Sequence, residues 1–344
     1  MYKQRVKKAI EAIKKGEMII IMDDEDRENE GDLVMAGIFS TPQKINFMAQ
    51  EARGLICVSI TKELANKLDL PPMVQNNSSN HETAFTISID AKEAKTGISA
   101  YERDMTIHLM CNPNVAPQDF VRPGHIFPLI AKEGGVLART GHTEASVDIC
   151  RLAGVAPISV ICEIMKKDGT MATRGDKFLI DFAHENNLNI LYVSDIIQYR
   201  LNYENLVHKI SSCKTNFLGV TCEKNIFCDH LDRNHTIFKF TTTNNTNKTP
   251  LVKFHTIKTD IALFEQNDEF EDLMRSIKKL QTDGGYMVFL QSDPTQSETI
   301  KDFGVGAQIL RLLEIEDFKL LSSKKSEYTA LSGFNLKLLE KIEV

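Results

Sequence analysis

The most constraining stretch of this 344-residue chain is residues 18–32, where the apolar MIIIM runs straight into DDEDRENEGD. The first part reads as a buried strand. The second gathers seven acidic side chains around one base, Arg27. Such a cluster repels itself when dry and unpaired, so either water solvates it or a cation neutralises it. A solvated turn is the ordinary fate of an acidic run. Here, however, the run begins where a strand ends, and the C-terminal ends of strands are where α/β folds place their ligand sites. Oxygen-rich clusters suit hard cations, above all Mg²⁺, which is held by one or two carboxylates together with substrate oxygens. Arg27 suits a sugar phosphate or a substrate hydroxyl.

The length predicts two domains. Up to about residue 205 helix and strand signals alternate in short units, an α/β or α+β signature. Val6, Ile10 and Ile13 share one face of an amphipathic N-terminal helix that stops at Gly16. Thr41-Pro42 opens a second helix. Residues 55–60, 84–89 and 159–165 read as strands, and 71–83 as a loop. Residues 113–135, with four prolines, are expected to hold little regular structure. GHTEASVDICRLAG (141–154) reads as a helix capped by Thr143 and closed by Gly154. Beyond Tyr199–Asn205 the character changes. Residues 241–250 read as a polar bridge or hairpin tip, followed by a helix near 268–281, a strand at 286–291, a helix near 300–313 and a strand at 318–323. The expected division is therefore 1–205 and a smaller α/β unit over 206–344.

Apolar residues at 42%, charged residues at 26% and a net charge of −6 give no reason to expect nucleic acid as partner. No run approaches the ~18 apolar residues of a membrane span. The seven cysteines are odd in number and form no C-x-x-C pair, so they read as reduced thiols of a cytoplasmic protein.

Further candidates lie downstream. In ARTGHTEA (138–145), Arg139, Gly141, His142, Thr143 and Glu144 stand at a predicted helix start, where backbone N–H groups and the positive helix end favour a phosphate. A lone histidine is more often structural, but beside an arginine and a helix N-terminus His142 is a candidate metal ligand. His125, in RPGHIFPL, sits on a proline-braced segment as a candidate acid–base group. Glu163 interrupts the apolar SVICEIM, where a carboxylate must be paired, metal-bound, raised in pKa or turned to water at a strand edge. Cys57 sits in an apolar strand, where packing is the usual explanation.

Together DDEDRENEGD, NHETAFTISID (80–90), TGISAYERDMTI (96–107), RPGHIFPL and RTGHTEASVDICRLAG resemble, in this order, 3,4-dihydroxy-2-butanone 4-phosphate synthase, over about residues 3 to 203. The resemblance implies an α+β sandwich that forms homodimers, and conversion of ribulose 5-phosphate to 3,4-dihydroxy-2-butanone 4-phosphate and formate in riboflavin biosynthesis. It implies Mg²⁺, with Mn²⁺ as the alternative, held by Glu28 and His142, and no organic cofactor. Arg27, Glu28, Asp32, residues Arg139 to Thr143 and Glu163 would contact the substrate, His125 and Glu163 would be catalytic, and Glu30, Cys57 and the loop around His81 would border the pocket.

Residues 251–256, 302–323 and 331–344 resemble parts of GTP cyclohydrolase II. That family holds zinc with three cysteines at C-x₁₀-C-x-C spacing, but residues 255–270 contain no cysteine, and SDPTQSETIKD (292–302) stands where a glycine- and arginine-rich nucleotide motif is expected. A new site from Cys213, Cys222 and Cys228 with Asp229-His230 is disfavoured. The expectation is a degenerate domain without zinc; the alternative is a bifunctional enzyme that still opens GTP.

Overall fold

The computed structural model describes the chain apart from residues 1, 26, 82, 242–248, 266, 292–299, 323–335 and 344. It divides into two compact units, Met1–Tyr199 and Arg200–Val344.

In the first unit, α1 (Tyr2–Lys14) buries Val6, Ala9, Ile10, Ala12 and Ile13, and Gly16 takes the left-handed conformation (φ +74°) that turns the chain into β1 (Ile19–Met22). After the acidic run come β2 (Gly31–Ala36), α2 (Pro42–Phe47), β3 (Cys57–Thr61), α3 (Lys62–Lys67), β4 (Ile89–Ala91), α4 (Ala100–Met110), β5 (Phe120–Ala131), α5 (His142–Leu152), β6 (Ser159–Glu163), α6 (Lys177–Glu185), β7 (Asn189–Tyr192) and α7 (Val193–Tyr203). Among the described residues the strands form one mixed sheet in the order β4-β5-β3-β6-β2-β1-β7.

Alternation sorts the central strands onto two faces. Ile20, Met22, Leu33, Met35, Val58, Ile60, Val160 and Cys162 join one large core with Ile45, Met48, Ile107 and Phe182. The opposite face mixes Ile19, Ile21, Val34 and Ile161 with smaller or polar residues: Asp32, Ala36, Cys57, Ser59, Ser159 and Glu163. The small size of the latter lets α5 lie close to the sheet, with every residue from His142 to Cys150 buried.

Three sequence expectations are corrected here. Residues 113–135 contain a twelve-residue strand, β5. Its Pro128 turns its carbonyl to the Thr86 N–H, so the missing N–H falls on the side away from β3, with which residues 127–131 pair in parallel. Of residues 84–89, Ile89 opens β4 and 84–88 form only isolated bridges, because Phe85 and Thr86 each pair with a single residue. Helix α5 is capped by Gly141, not Thr143; Thr143 lies inside the first turn and is buried.

The second unit carries β8 (Val207–Phe217), β9 (Val220–Asp229), β10 (Asn234–Phe240), β11 (Leu251–Thr256), α8 (Asp260–Glu265), α9 (Asn267–Asp283), β12 (Gly285–Leu290), α10 (Ile300–Leu312), β13 (Asp317–Leu321) and β14 (Lys337–Ile342). Among the described residues the sheet order is β14-β13-β11-β12-β10-β9-β8. Helix α9 packs Leu273, Ile277 and Leu280 against Phe238, Phe240 and Met287. The bridge expected at 241–250 falls largely outside the described residues, as does most of 292–302.

Candidate active site

The acidic run folds back on Asp23, which is fully buried. Its Oδ1 accepts from the Glu30 N–H (2.9 Å), and its Oδ2 accepts from the Glu28 N–H (3.1 Å) and from Arg27 Nη1 (2.8 Å). Arg27 also donates to both oxygens of Glu28 (2.7 and 3.1 Å). One buried carboxylate thus bends the run, and one guanidinium neutralises part of its charge.

The N-terminus of α5 arrives over this loop. His142 Nε2 donates to the Glu30 carbonyl (3.1 Å), so in the neutral ring Nδ1 carries the lone pair, 3.5 Å from Glu28 Oε2. Asp32 lies 3.9 Å from His142 Nε2, and its Oδ1 is buried without a hydrogen-bond partner among the described residues. Ligand atoms of Asp23, Glu28 and His142 all fall within 4.8 Å of one another. The donor set is two carboxylates and an oriented imidazole with an orphaned buried oxygen beside them, and it fits a hard divalent cation.

The electrostatics agree. Burial raises the Asp32 carboxyl, the nearby His142 charge opposes that, and the charges of Glu163, Glu28 and Glu30 reinforce it. Burial would lower the His142 imidazole, but Asp32 and Glu28 raise it well above its ordinary value. Burial would also raise Glu28, yet contact with His142 and the charge of Arg27 hold it at about 2. Glu30 is raised, by burial and then by Glu28. Buried negative charge is in excess around one imidazole, which is the condition a cation relieves.

Glu163 pairs with Asp32 across β6 and β2, and its Oε2 accepts from the Leu55 N–H at 2.8 Å. Cys57 lies next to it, buried, with its thiol pushed far up by burial and then by Glu163 and Asp32. Cys57 stands level with Phe127 on one side and Ile161 on the other. Glu163 accepts from Leu55, two residues before Cys57 on the way into β3, and two residues before Phe127 on β5 stands His125, so the end of the sheet that carries Glu163 also carries His125. Its ring faces Asp90, which the sequence alone did not single out.

Arg139 closes the remaining side. It donates to Glu144 (2.7 Å) and to the His81 carbonyl (2.9 Å), tying the 71–83 loop to the start of α5. Only the backbone of His81 takes part in that bond. A Cβ on Gly141 would stand 2.3 Å from Arg139 Nη1, so glycine at this cap leaves room for the guanidinium. Thr140 is half-buried beside it and Thr143 is buried. Asp23 accepts from the backbone N–H groups of Glu28 and Glu30, and Glu144, one of the residues at the predicted helix start, accepts from the Lys132 N–H and pairs with Arg139.

Carboxylates, an oriented imidazole and a helix N-terminus at one end of a sheet define an enzyme site organised around a divalent cation. Comparison with known proteins places it more closely. Residues 7–199 match the family of 3,4-dihydroxy-2-butanone 4-phosphate synthase, and residues 253–343 match GTP cyclohydrolase II. The 3,4-dihydroxy-2-butanone 4-phosphate synthase of Helicobacter hepaticus is 70% identical, covering 100% of both chains. That of Campylobacter jejuni is 48% identical over 97% of each, and the riboflavin biosynthesis protein RibBA of Bacillus subtilis is 37% identical over 98% of this chain and 92% of its own. Among solved structures, RibBX, a two-domain 3,4-dihydroxy-2-butanone 4-phosphate synthase from A. baumannii, aligns with a TM-score of 0.83 at 37% identity over 99% of both chains. A 3,4-dihydroxy-2-butanone 4-phosphate synthase in complex with two magnesium ions aligns with a TM-score of 0.53 at 40% identity, covering 56% of this chain and 95% of that one. The chain belongs to the 3,4-dihydroxy-2-butanone 4-phosphate synthase family of riboflavin biosynthesis, and a GTP cyclohydrolase II-like unit follows the synthase unit.

Proposed function

We propose that the chain converts D-ribulose 5-phosphate to L-3,4-dihydroxy-2-butanone 4-phosphate and formate, a lyase reaction, with a site contained in a synthase domain of residues 1–205. The observation that carries this is the Asp23, Glu28 and His142 cluster beneath the α5 N-terminus. Glu28 and His142 would hold Mg²⁺, or Mn²⁺ in its place. Bound there, a divalent ion supplies positive charge against the negative charge that develops on adjacent substrate oxygens.

The chain's own groups account for the rest. The α5 N-terminus and Arg139 receive the phosphate, helped by the backbone from Thr140 to Thr143. Arg27, Glu28 and Asp32 contact the hydroxyls. The substrate must lose a proton beside its carbonyl, lose water, shift its skeleton and release one carbon as formate, so several protons move at different atoms. Glu163 and His125, on different strands at one end of the sheet, suit separate transfers, with Glu30 and Cys57 walling the space between sheet and loop. None of these steps requires an organic cofactor.

The exposed Ile98, Tyr101 and Met105, on and just before α4, support assembly as a homodimer, and seven free thiols support a cytoplasmic setting. The GTP cyclohydrolase II-like unit, residues 206–344, has lost that activity: its family match, 253–343, contains no cysteine. Cys222 and Cys228 stand six residues apart on β9, about 20 Å by strand geometry, too far to share an ion. The bifunctional alternative, favoured by the likeness to RibBA, predicts bound zinc and formate from GTP alone.

Full-length protein incubated with ribulose 5-phosphate and Mg²⁺ is expected to release formate, and excess chelator to stop it. Absence of formate, or equal release with chelator, would refute the proposal. Truncation after residue 205 is expected to leave this activity measurable.

A further inference from the structure

We infer that Asp90 is the positioning residue of His125: it fixes the imidazole with Nδ1 protonated and leaves Nε2 as the atom that accepts a proton. This rests on the acid–base role proposed above for His125. Asp90, in β4, is buried, and both its oxygens are committed to one residue. Oδ1 accepts from the His125 backbone N–H (2.8 Å) and Oδ2 from the ring Nδ1 (2.8 Å). An ionised carboxylate only accepts, so Nδ1 carries the hydrogen and the neutral ring presents a bare Nε2. Among the described residues Nε2 has no hydrogen-bond partner, and 42% of the side chain is exposed.

The surrounding backbone is shaped for this pair. The β4–β5 register shifts between Ile89 and Asp90, so that Ile89 opposes Ile126 while Asp90 opposes Val121. The residues between fall out of step with β4, an irregularity of the kind that re-aims a side chain. Gly124 lets the two strands close up: a Cβ there would stand 2.0 Å from the Ile89 carbonyl carbon. Gly97, at φ +84°, lays the loop before α4 against the pair, and a Cβ on it would stand 1.9 Å from Asp90 Oδ2 and 2.6 Å from His125 Nδ1. Two glycines thus admit backbone on either side of a carboxylate–imidazole contact. A carboxylate needed only to hold the strand would have no use for the ring. When Nε2 takes a proton from the carbon beside the substrate carbonyl, the C–H electron pair stays on the substrate, and the new imidazolium keeps its Nδ1–H against Asp90. That is the orienting role of the acidic member of a catalytic triad.

Three variants of the full chain test this, together with ¹⁵N NMR of histidine-labelled protein. In the unsubstituted chain the His125 signals should report a protonated Nδ1 and a bare Nε2; finding the opposite tautomer overturns the inference without any variant. Asp90→Asn should lower kcat by roughly 10²-fold or more, leave KM for ribulose 5-phosphate within about threefold, and shift the ring towards the Nε2–H form. Asp90→Glu should recover part of the rate. His125→Gln should lose at least as much as Asp90→Asn. If His125→Gln keeps full activity, the role of His125 itself falls. If it is inactive while Asp90→Asn keeps the rate and the tautomer of the unsubstituted chain, the positioning role alone falls.

Discussion

Glu163 has two kinds of neighbour, and they separate its structural work from its chemical work. Its Oε2 receives the Leu55 N–H, a bond that a glutamine oxygen also makes. Its charge presses on Asp32 and Glu30 and helps raise both, so removing that charge relieves repulsion in the folded state. Glu163→Gln is therefore expected to unfold at the same urea concentration as the unsubstituted chain or a higher one, while kcat falls by roughly 10² to 10⁴. Steady-state kinetics beside urea melts decide it; an unaltered kcat removes Glu163 from the mechanism. The residue types that bear charge at this site were legible in the sequence, since DDEDRENEGD and RTGHTEA announce themselves by composition and by their places at a strand end and a helix start. Asp23 and Asp90 were not. They act by accepting hydrogens from other segments, Asp23 from Glu28 and Glu30 and Asp90 from His125, and spacing along the chain carries no trace of that.

Among the elements, α5 was readable and β5 was not, for opposite reasons. Helix α5 keeps helical spacing even where it is buried all round, whereas β5 hides behind Pro123 and Pro128, whose lost N–H groups fall outside the ladder with β3. Strand β8 escaped notice because it is a sheet edge exposed along nearly its whole length, so VHKISSCKTNF has no buried face to impose alternation. The close seat of α5 makes a sharper prediction. Ser59 and Ser159 face each other across β3 and β6, both fully buried, and neither Oγ has a hydrogen-bond partner among the described residues. Their value is their size. Ser59→Ala should cost no more than about 0.5 kcal/mol or should stabilise, whereas Ser59→Leu, forcing extra methylenes between sheet and helix, should cost about 1–3 kcal/mol. Urea titration of both variants tests this; equal costs would show that the hydroxyl, not the space, matters there.

Across the whole molecule, each unit carries a histidine whose titration is shifted, and the two shifts have opposite sense. In the first, His142 is raised by its carboxylates, so its stabilising contribution is present below its ordinary pKa and is lost as pH climbs through the raised value. In the second, His230 follows β9 in a turn, with neither ring nitrogen hydrogen-bonded among the described residues. Burial drives it down to about 4; Asp229 opposes this, and Arg200, Arg233 and His235 add to it. An unfolded chain protonates this ring near pH 6.5, whereas the folded chain resists until about 4. Below pH 6.5 the unfolded state therefore binds more protons, and the second unit loses stability as pH falls from 6.5 towards 4. Asp229 extends the loss to still lower pH: burial would raise its carboxyl, but His235 and Arg233 hold it well below the carboxylate range. His230→Leu removes the titrating ring while keeping an apolar side chain in its place. Its urea midpoint, relative to that of the unsubstituted chain, should rise steadily between pH 7 and pH 4.5. Two curves that stay parallel over that interval would mean that the ring reaches water when protonated, and that acid acts on this unit through other groups.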